Sequence, residues 1–480
     1  MLSATQGLAK FAAELSYEDI PGDVVHQAER LILDTCCCAI GGYILDGGKV
    51  YLHVLEGLGG KPESTLLPTG HKTSAAIAAF VNSQLANLLD LDENLLYEGH
   101  FANTSIMPPL AMAERQGASG KQFVTAVVAA FEVTSRVTLS LPGIANVVSP
   151  PPNLKIEWPD PFGHSYNIFG ATVGSCSLLN LNAEQTANAM GIAGTITPLP
   201  SSGKIASLPR LTMSKSSVYG WQGWSGVVAS LLAEQGMTGD TTVLDGEHGF
   251  WKMIGAKYCD FAMLTKDLGS KWWIMDTAIK PYPACAYMRH PMTATDKIIA
   301  AHNIKPEEID LIVAKLRPVH NTGVFFQDEP ESYLDTQVSY QYTIAMRALQ
   351  IPPDRWHKRE VYSDPFVRSM VKKVRIEPDP SAIEAVYEDI KEGQEIRRPK
   401  KNPTTVEIHA RGTVYSEHVD YAKGDPFTEE TRMTDEELAN KFRTHTTDLL
   451  RSSHVEQAIE ALLNISTSPD IRLVTPLLTA

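Results

Sequence analysis

Residues 89–100, LDLDENLLYEGH, crowd carboxylates, an amide and a histidine into one polar stretch, and Asp90, Asn94 and His100 are the members placed to converge on a ligand. These are the residue types that accept and return protons. Three downstream segments carry complementary groups. FGHSYNIFG (162–170) sets His164 at a helix start, where an imidazole beside glycine can face an anion. MSKSSVYGWQGWSG (213–226) holds Lys215 ahead of a helical start rich in Gly and Trp, and an ammonium there suits a carboxylate. IKPYPACAYMRH (279–290) holds Lys280 before two prolines that fix its backbone, followed by Cys285 and His290. Taken singly, a lysine in a polar turn is solvated and a cysteine among apolar neighbours is a packed thiol. Taken together, lysines in rigid segments that bracket histidines point to acid/base chemistry on an anion.

The elements that must position these groups follow from their flanks. Residues 74–89 carry Ile77, Phe80, Val81, Leu85, Leu88 and Leu89 at helical spacing, and Thr104 or Ser105 is expected to cap a second helix through IMPPLAMAER. The polar stretch is then a turn between two apolar helices. Residues 23–40 read as a helix opened by Asp23, and further helices are expected at 120–140, 165–180, 184–194 and 220–236. The six prolines of 142–161 exclude helix and predict an irregular loop. After about residue 270 the texture changes to short β-rich runs, 309–316, 371–378, 404–412 and 413–420, the last two forming a hairpin about Arg411 and Gly412. The C-terminal segment returns to helix, opened by Thr434 with Glu437 in capping-box spacing. The expected fold is mainly α. A large helical domain is formed by both chain ends (1–271 and 423–480), with a smaller α+β lid domain (272–422) inserted between them.

Composition bounds the partners. The 480 residues carry a formal charge of −14, which argues against nucleic acid or an anionic membrane as partner, and RRPKK at 397–401 reads as a solvated turn. GLGGKPES near residue 60 reads as a surface turn. The N-terminus lacks a basic segment followed by an apolar core, and no stretch offers eighteen uninterrupted apolar residues, so a cytoplasmic protein is expected. The six cysteines form no CxxC pair, and Cys36, Cys37 and Cys38 sit in an apolar run that suits core packing in a reducing compartment. No phosphate-loop, dinucleotide, HExxH or GxSxG signature is present, and the histidines lack metal-ligand spacing. The expected chemistry therefore uses side chains alone, with no metal and no cofactor.

With these segments in hand, the chain resembles the MmgE/PrpD family over nearly its whole length. The resemblance rests on LDLDE followed by Gly99 and His100, His164 with Gly170 after it, and NAMGIAG at 188–194. VLDGEHGFW at 243–251, KPYPAC at 280–285, and KGDP followed by TDEELANKF at 423–442 add to it. It implies a helical domain with an α+β lid, a homodimer, and a lyase that dehydrates or decarboxylates a small di- or tricarboxylate by proton transfer next to a carboxylate. An epimerase using the same groups and a non-catalytic carboxylate-binding scaffold are the alternatives. Carried across by position, Asp90 and His100 match family acid/base positions, and Lys215 and Lys280 match two active-site lysines. On the same terms, His164 matches a family histidine, and Asn94 stands where the decarboxylase has threonine. Cys285 replaces a decarboxylase histidine, and His100-Phe101 stands where the family has His-Pro. The implied roles are proton transfer by His100, orientation or a second acid/base by Asp90, and charge stabilisation by Lys215 and Lys280. Asn94 and His164 would bind substrate oxygens, with Cys285 as pocket wall.

Overall fold

The computed structural model describes all residues except 1, 144–145, 158–163, 200–207, 318–322 and 394–395. Long runs of small and apolar residues at helical spacing build its larger part: α1 (Ala4–Glu14), α2 (Gly22–Gly42), α3 (Asp46–Gly57), α4 (Ala75–Leu88), α5 (Ala102–Gln116), α6 (Gly120–Leu139), α7 (Asn167–Leu178), α8 (Ala183–Thr195) and α9 (Val218–Glu234). α4 opens at Ser74, whose hydroxyl accepts from the Ile77 N–H. α7 packs against α5, α6 and α9. At Gly170 a Cβ would lie 2.2 Å from Thr134 Oγ1, so only glycine permits the α6 contact.

Two expected caps are corrected. Pro21, without a side-chain bond, caps α2, and Asp23 lies in its first turn. α5 begins at Ala102, ahead of Thr104 and Ser105, because its first amides are met from outside: Glu93 Oε1 accepts from Ala102 N–H at 2.8 Å and from Phe101 N–H. The proline-rich segment is also more regular than expected. β2 (Asn146–Ser149) and β3 (Lys155–Glu157) pair as a hairpin, since Val147 and Ile156 pack against Val386 and Ile390 of the helix Pro380–Glu392. Residues 144–145 and 158–161 of that expected loop, and 162–163 ahead of His164, lie outside the described residues.

The β-rich runs form one four-stranded mixed sheet. β5 (Ile309–Leu316) pairs parallel with β6 (Val374–Pro378) and antiparallel with β7 (Thr404–Ala410), which forms the expected hairpin with β8 (Thr413–Val419) across Arg411 and Gly412. β6 starts later than the sequence suggested because Val371 still ends a helix, Pro365–Val371. α10 (Arg289–His302), α11 (Tyr333–Val338) and α12 (Tyr340–Ala348) belong to this part, and one hydrophobic cluster joins Met292, Ile312, Ile344, Trp356 and Val406. α13 (Asp435–Thr446), opened by the Thr434–Glu437 capping box, and α14 (Ser452–Leu463) pack back on α2. Small sheets on a mainly helical chain are the fold class the sequence implied. Among the described residues no single helix is long and apolar enough to cross a membrane.

Candidate active site

The stretch between α4 and α5 is held in an uncommon shape. Asp90, Leu96 and Tyr97 all have φ between 47° and 64°, the left-handed region that non-glycine residues enter at a cost of about 1 kcal/mol or more each. Local bonds offset that cost. Asn94 Oδ1 accepts from Tyr97 N–H at 2.8 Å, and its Nδ2 donates to the Gly99 carbonyl at 3.4 Å. β1 (Asn94–Leu95) also pairs antiparallel with β4 (Thr277–Ala278), which lays the chain leading to Lys280 alongside the loop.

Both lysines consequently meet Asp90. Lys280 is fully buried, and its Nζ donates to Asp90 Oδ1 at 2.7 Å, to the Asp90 carbonyl at 2.6 Å and to the Ala284 carbonyl at 3.2 Å. An ammonium has three protons, so Lys280 is saturated. Lys215, in a 3₁₀ turn before α9, donates to Asp90 Oδ2 and to Gln337 Oε1 at 3.3 Å, which leaves one donor without a protein partner among the described residues. Burial alone would raise the Asp90 pKa, but Lys215 and Lys280 overcome it and hold the carboxyl well below the usual range. Burial likewise works against the charged form of Lys280, and Asp90 with Asp92 raises its pKa nonetheless.

Asp90 is not the group that orients His100. Its Oδ1 lies 4.0 Å from His100 Nε2, too far for a hydrogen bond. His100 Nδ1 instead donates to the Glu93 carbonyl at 2.8 Å, with Asp92 Oδ2 at 3.3 Å beside it. Because a carbonyl only accepts, Nδ1 carries the proton and Nε2 presents a lone pair on the side of Asp90 and the lysines. Asp92 is pinned by Asn87 Nδ2 at 2.9 Å and Asn103 Nδ2 at 3.1 Å. Burial pushes the His100 pKa below the usual imidazole value, helped by the lysines against the opposing charges of Asp92 and Asp90.

The remaining expected residues divide. The His164 ring lies 6.2 Å from that of His100 and stacks at 5.7 Å on Tyr219. Its Nδ1 sits 3.0 Å from Tyr166 Oη, and that hydroxyl gives its proton to the Glu98 carbonyl, so Nδ1 donates and Nε2 is the acceptor. Burial brings the His164 pKa down to about 3, so its ring is neutral. Gly99 makes room for it, since a Cβ there would come within 2.7 Å of His164 Nδ1. Cys285 is partly buried, its N–H donating to the Gln337 carbonyl at 2.8 Å. Burial and then the Asp90 charge raise its thiol pKa, so it is a thiol and not a thiolate at neutral pH. Asn94 does not join the group by its amide, which is spent on its own loop. His290 is fully buried away from it, against Tyr97 Oη at 3.2 Å.

Sequence reading missed three residues. Asp92 stands two positions from Asp90, but which carboxylate faces His100 depends on the left-handed backbone at Asp90. Gln337 carries no motif. Arg398 belongs to the run expected to be a solvated turn, yet it is 1% exposed. Its Nε lies 2.7 Å from Glu98 Oε1, and its guanidinium donates to the carbonyls of Ile396, Thr138 and Leu141. A buried carboxylate in the active-site loop thus draws in a cation from the far part of the chain.

Asp90, Asp92 and His100 bring their ligand atoms within 4.8 Å of one another, a spacing a metal ion could use. The Lys280 ammonium already sits 2.7 Å from Asp90 Oδ1 and 4.0 Å from Asp92 Oδ1, so it occupies the electrostatic place of a cation.

The family model for the MmgE/PrpD N-terminal domain matches residues 6–259, and that for the MmgE/PrpD C-terminal domain matches residues 282–466. A cis-aconitate decarboxylase of Aspergillus terreus is 25% identical across 72% of this chain and 71% of its own length. Those of Mus musculus and Homo sapiens are 24% and 23% identical, each across 99% of this chain and 93% and 94% of their own.

Proposed function

The chain belongs to the MmgE/PrpD family, and from that membership we propose that it is a lyase that decarboxylates or dehydrates a small di- or tricarboxylate by moving a proton at the carbon next to a carboxylate. The observation that carries the reading is the pairing of a neutral His100, lone pair on Nε2, with a Lys215 ammonium that keeps one donor for a ligand. A substrate carboxylate accepts from Lys215. In decarboxylation the C–C bond breaks, carbon dioxide leaves, and the electron pair is delocalised onto the retained carboxylate; His100, which first takes a proton from solvent at Nε2, then delivers it to carbon. In dehydration the neutral Nε2 takes the proton from the carbon next to the carboxylate, and the hydroxyl leaves as water with a proton supplied by solvent. Fixed charges in a buried site stabilise the anionic intermediate better than water does. Asp92 stabilises the imidazolium, and Asp90 holds both lysines in place.

One observation favours a second reading. Epimerisation needs proton donors and acceptors on opposite faces of carbon, and the rings of His100 and His164 stand 6.2 Å apart. Incubation with a panel of polycarboxylates in deuterated water separates the readings. Lost carbon dioxide or a new alkene supports the lyase, exchange without net product supports the epimerase, and silence on every substrate contradicts both. The reaction is proposed to need no metal or organic cofactor. Turnover that survives exhaustive chelation supports this, and loss restored by one metal contradicts it.

The same membership supports a homodimer. Val50 and Val54 lie exposed on α3 with Leu58 just past its end, and Trp221 and Trp224 are partly exposed on α9. The Tyr51, Phe80 and Trp221 rings link the two helices. Exposed apolar side chains on neighbouring helices suit a second copy, and sedimentation at twice 52.6 kDa would support it. Six free cysteines, three of them packed in α2, favour a reducing compartment such as the cytoplasm.

A further inference from the structure

Gln337 lies in α11, in the sheet-bearing part of the chain, and is fully buried. It bonds three segments of the candidate active site. Its Nε2 donates to the Leu88 carbonyl at 2.7 Å, its Oε1 accepts from Lys215 Nζ at 3.3 Å, and its main-chain carbonyl accepts from Cys285 N–H at 2.8 Å. The amide cannot be turned over. Leu88 O can only accept, so the NH₂ group must face it and the carbonyl oxygen is left for Lys215. Leu88 is the last residue of α4, where a helix leaves carbonyls without internal partners, so this bond also closes that helix end. Asp90, two residues further on, begins the active-site loop.

The consequence falls on Lys215. With one proton on Asp90 Oδ2 and a second on Gln337 Oε1, the direction of the third is fixed. Without Gln337 the ammonium keeps its pairing with Asp90 but can rotate, and its remaining donors sweep a cone in place of one line. The Cys285 contact adds a second constraint, because Ala284, the residue before it, receives the third proton of Lys280. One side chain and its carbonyl therefore set the geometry of both lysine segments from across the site.

We propose that Gln337 is a positioning residue that aims the spare donor of Lys215 at a substrate carboxylate. This rests on the carboxylate reading above and makes a more specific claim. The test is a double-mutant cycle on the full-length protein, using propane-1,2,3-tricarboxylate as a non-reacting probe and reading its affinity by calorimetry. Gln337→Met keeps the length and removes donor and acceptor. It should weaken the probe about tenfold or more, the effect of losing a hydrogen bond to a charged group. In a Lys215→Met background the same change should alter affinity by less than about twofold, because nothing remains for Gln337 to aim. A purely structural role would weaken binding equally in both backgrounds, and that result overturns the proposal. An unchanged affinity in Gln337→Met with Lys215 intact overturns it as well. If the unsubstituted protein binds no tricarboxylate, the carboxylate reading fails instead. A crystal structure of Gln337→Met then decides the positioning claim: a Lys215 ammonium that has turned supports it, and one that has not moved overturns it.

Discussion

Lys280 gives all three of its ammonium protons to the protein, two of them to Asp90 through Oδ1 and the main-chain carbonyl. Lys215 meets the other oxygen of the same carboxylate and keeps a donor in reserve. Two lysines of one constellation thus have different work: Lys280 builds the site and Lys215 remains open to a ligand.

The first prediction follows from that division. Lys280→Met leaves Asp90 Oδ1 and two main-chain carbonyls without their buried donor and should cost about 3 kcal/mol in chemical denaturation. Lys215→Met, at a partly exposed position, should cost less than about 1 kcal/mol but raise KM for a carboxylate substrate. Equal losses of stability would contradict the assignment.

Arg398→Met should be as damaging as a core truncation although it removes a surface-type residue. It takes the guanidinium away from the Glu98 carboxylate and from three buried carbonyls, at a cost of about 3–5 kcal/mol. A denaturation midpoint within error of the unsubstituted protein would contradict the burial of this ion pair.

Glu93 gives the pH dependence. Burial and then the Asp92 charge push its pKa from 4.5 up to about 8, against the amides of Ala102 and Phe101. A carboxyl whose folded value is raised contributes stability that is complete below about 4.5 and lost as pH climbs through about 8. Glu93→Gln keeps the acceptor that caps α5 and cannot ionise. Its melting temperature should therefore fall less than that of the unsubstituted protein between pH 5.5 and 8.5, and parallel curves would contradict the assignment.

The scaffold was legible where local chemistry decides it. The apolar helix within 74–89, the Thr434–Glu437 capping box and the Arg411–Gly412 hairpin all form where spacing and turn residues place them. Lys215, Lys280, His164 and His100 stood out as groups in rigid segments. Their contacts could not be read, because they depend on left-handed φ values at Asp90, Leu96 and Tyr97 that no periodicity signals. Arg398 was misread because a basic run looks solvated until its buried counter-charge, Glu98, is seen beside it. Gln337 is a lone amide inside a short helix, and only its three partners give it meaning.

Cys285→Ser should be mild. The thiol is held protonated by burial and by the Asp90 charge, so it forms wall and not nucleophile. Steady-state turnover should fall by far less than the about 10² to 10⁴ expected for loss of a proton-transfer group. Complete loss in a folded protein would assign the chemistry to the thiol.

The central claim is that His100 moves the proton, and deuterium tests it most directly. With whichever polycarboxylate of the panel turns over as probe, in deuterated water, proton NMR should find product labelled at the carbon next to the retained carboxylate. His100→Gln, which keeps a hydrogen-bonding amide near the Glu93 carbonyl, should slow that labelling by about 10² to 10⁴ while the fold and probe binding persist. Labelling by His100→Gln at the rate of the unsubstituted protein would contradict the account.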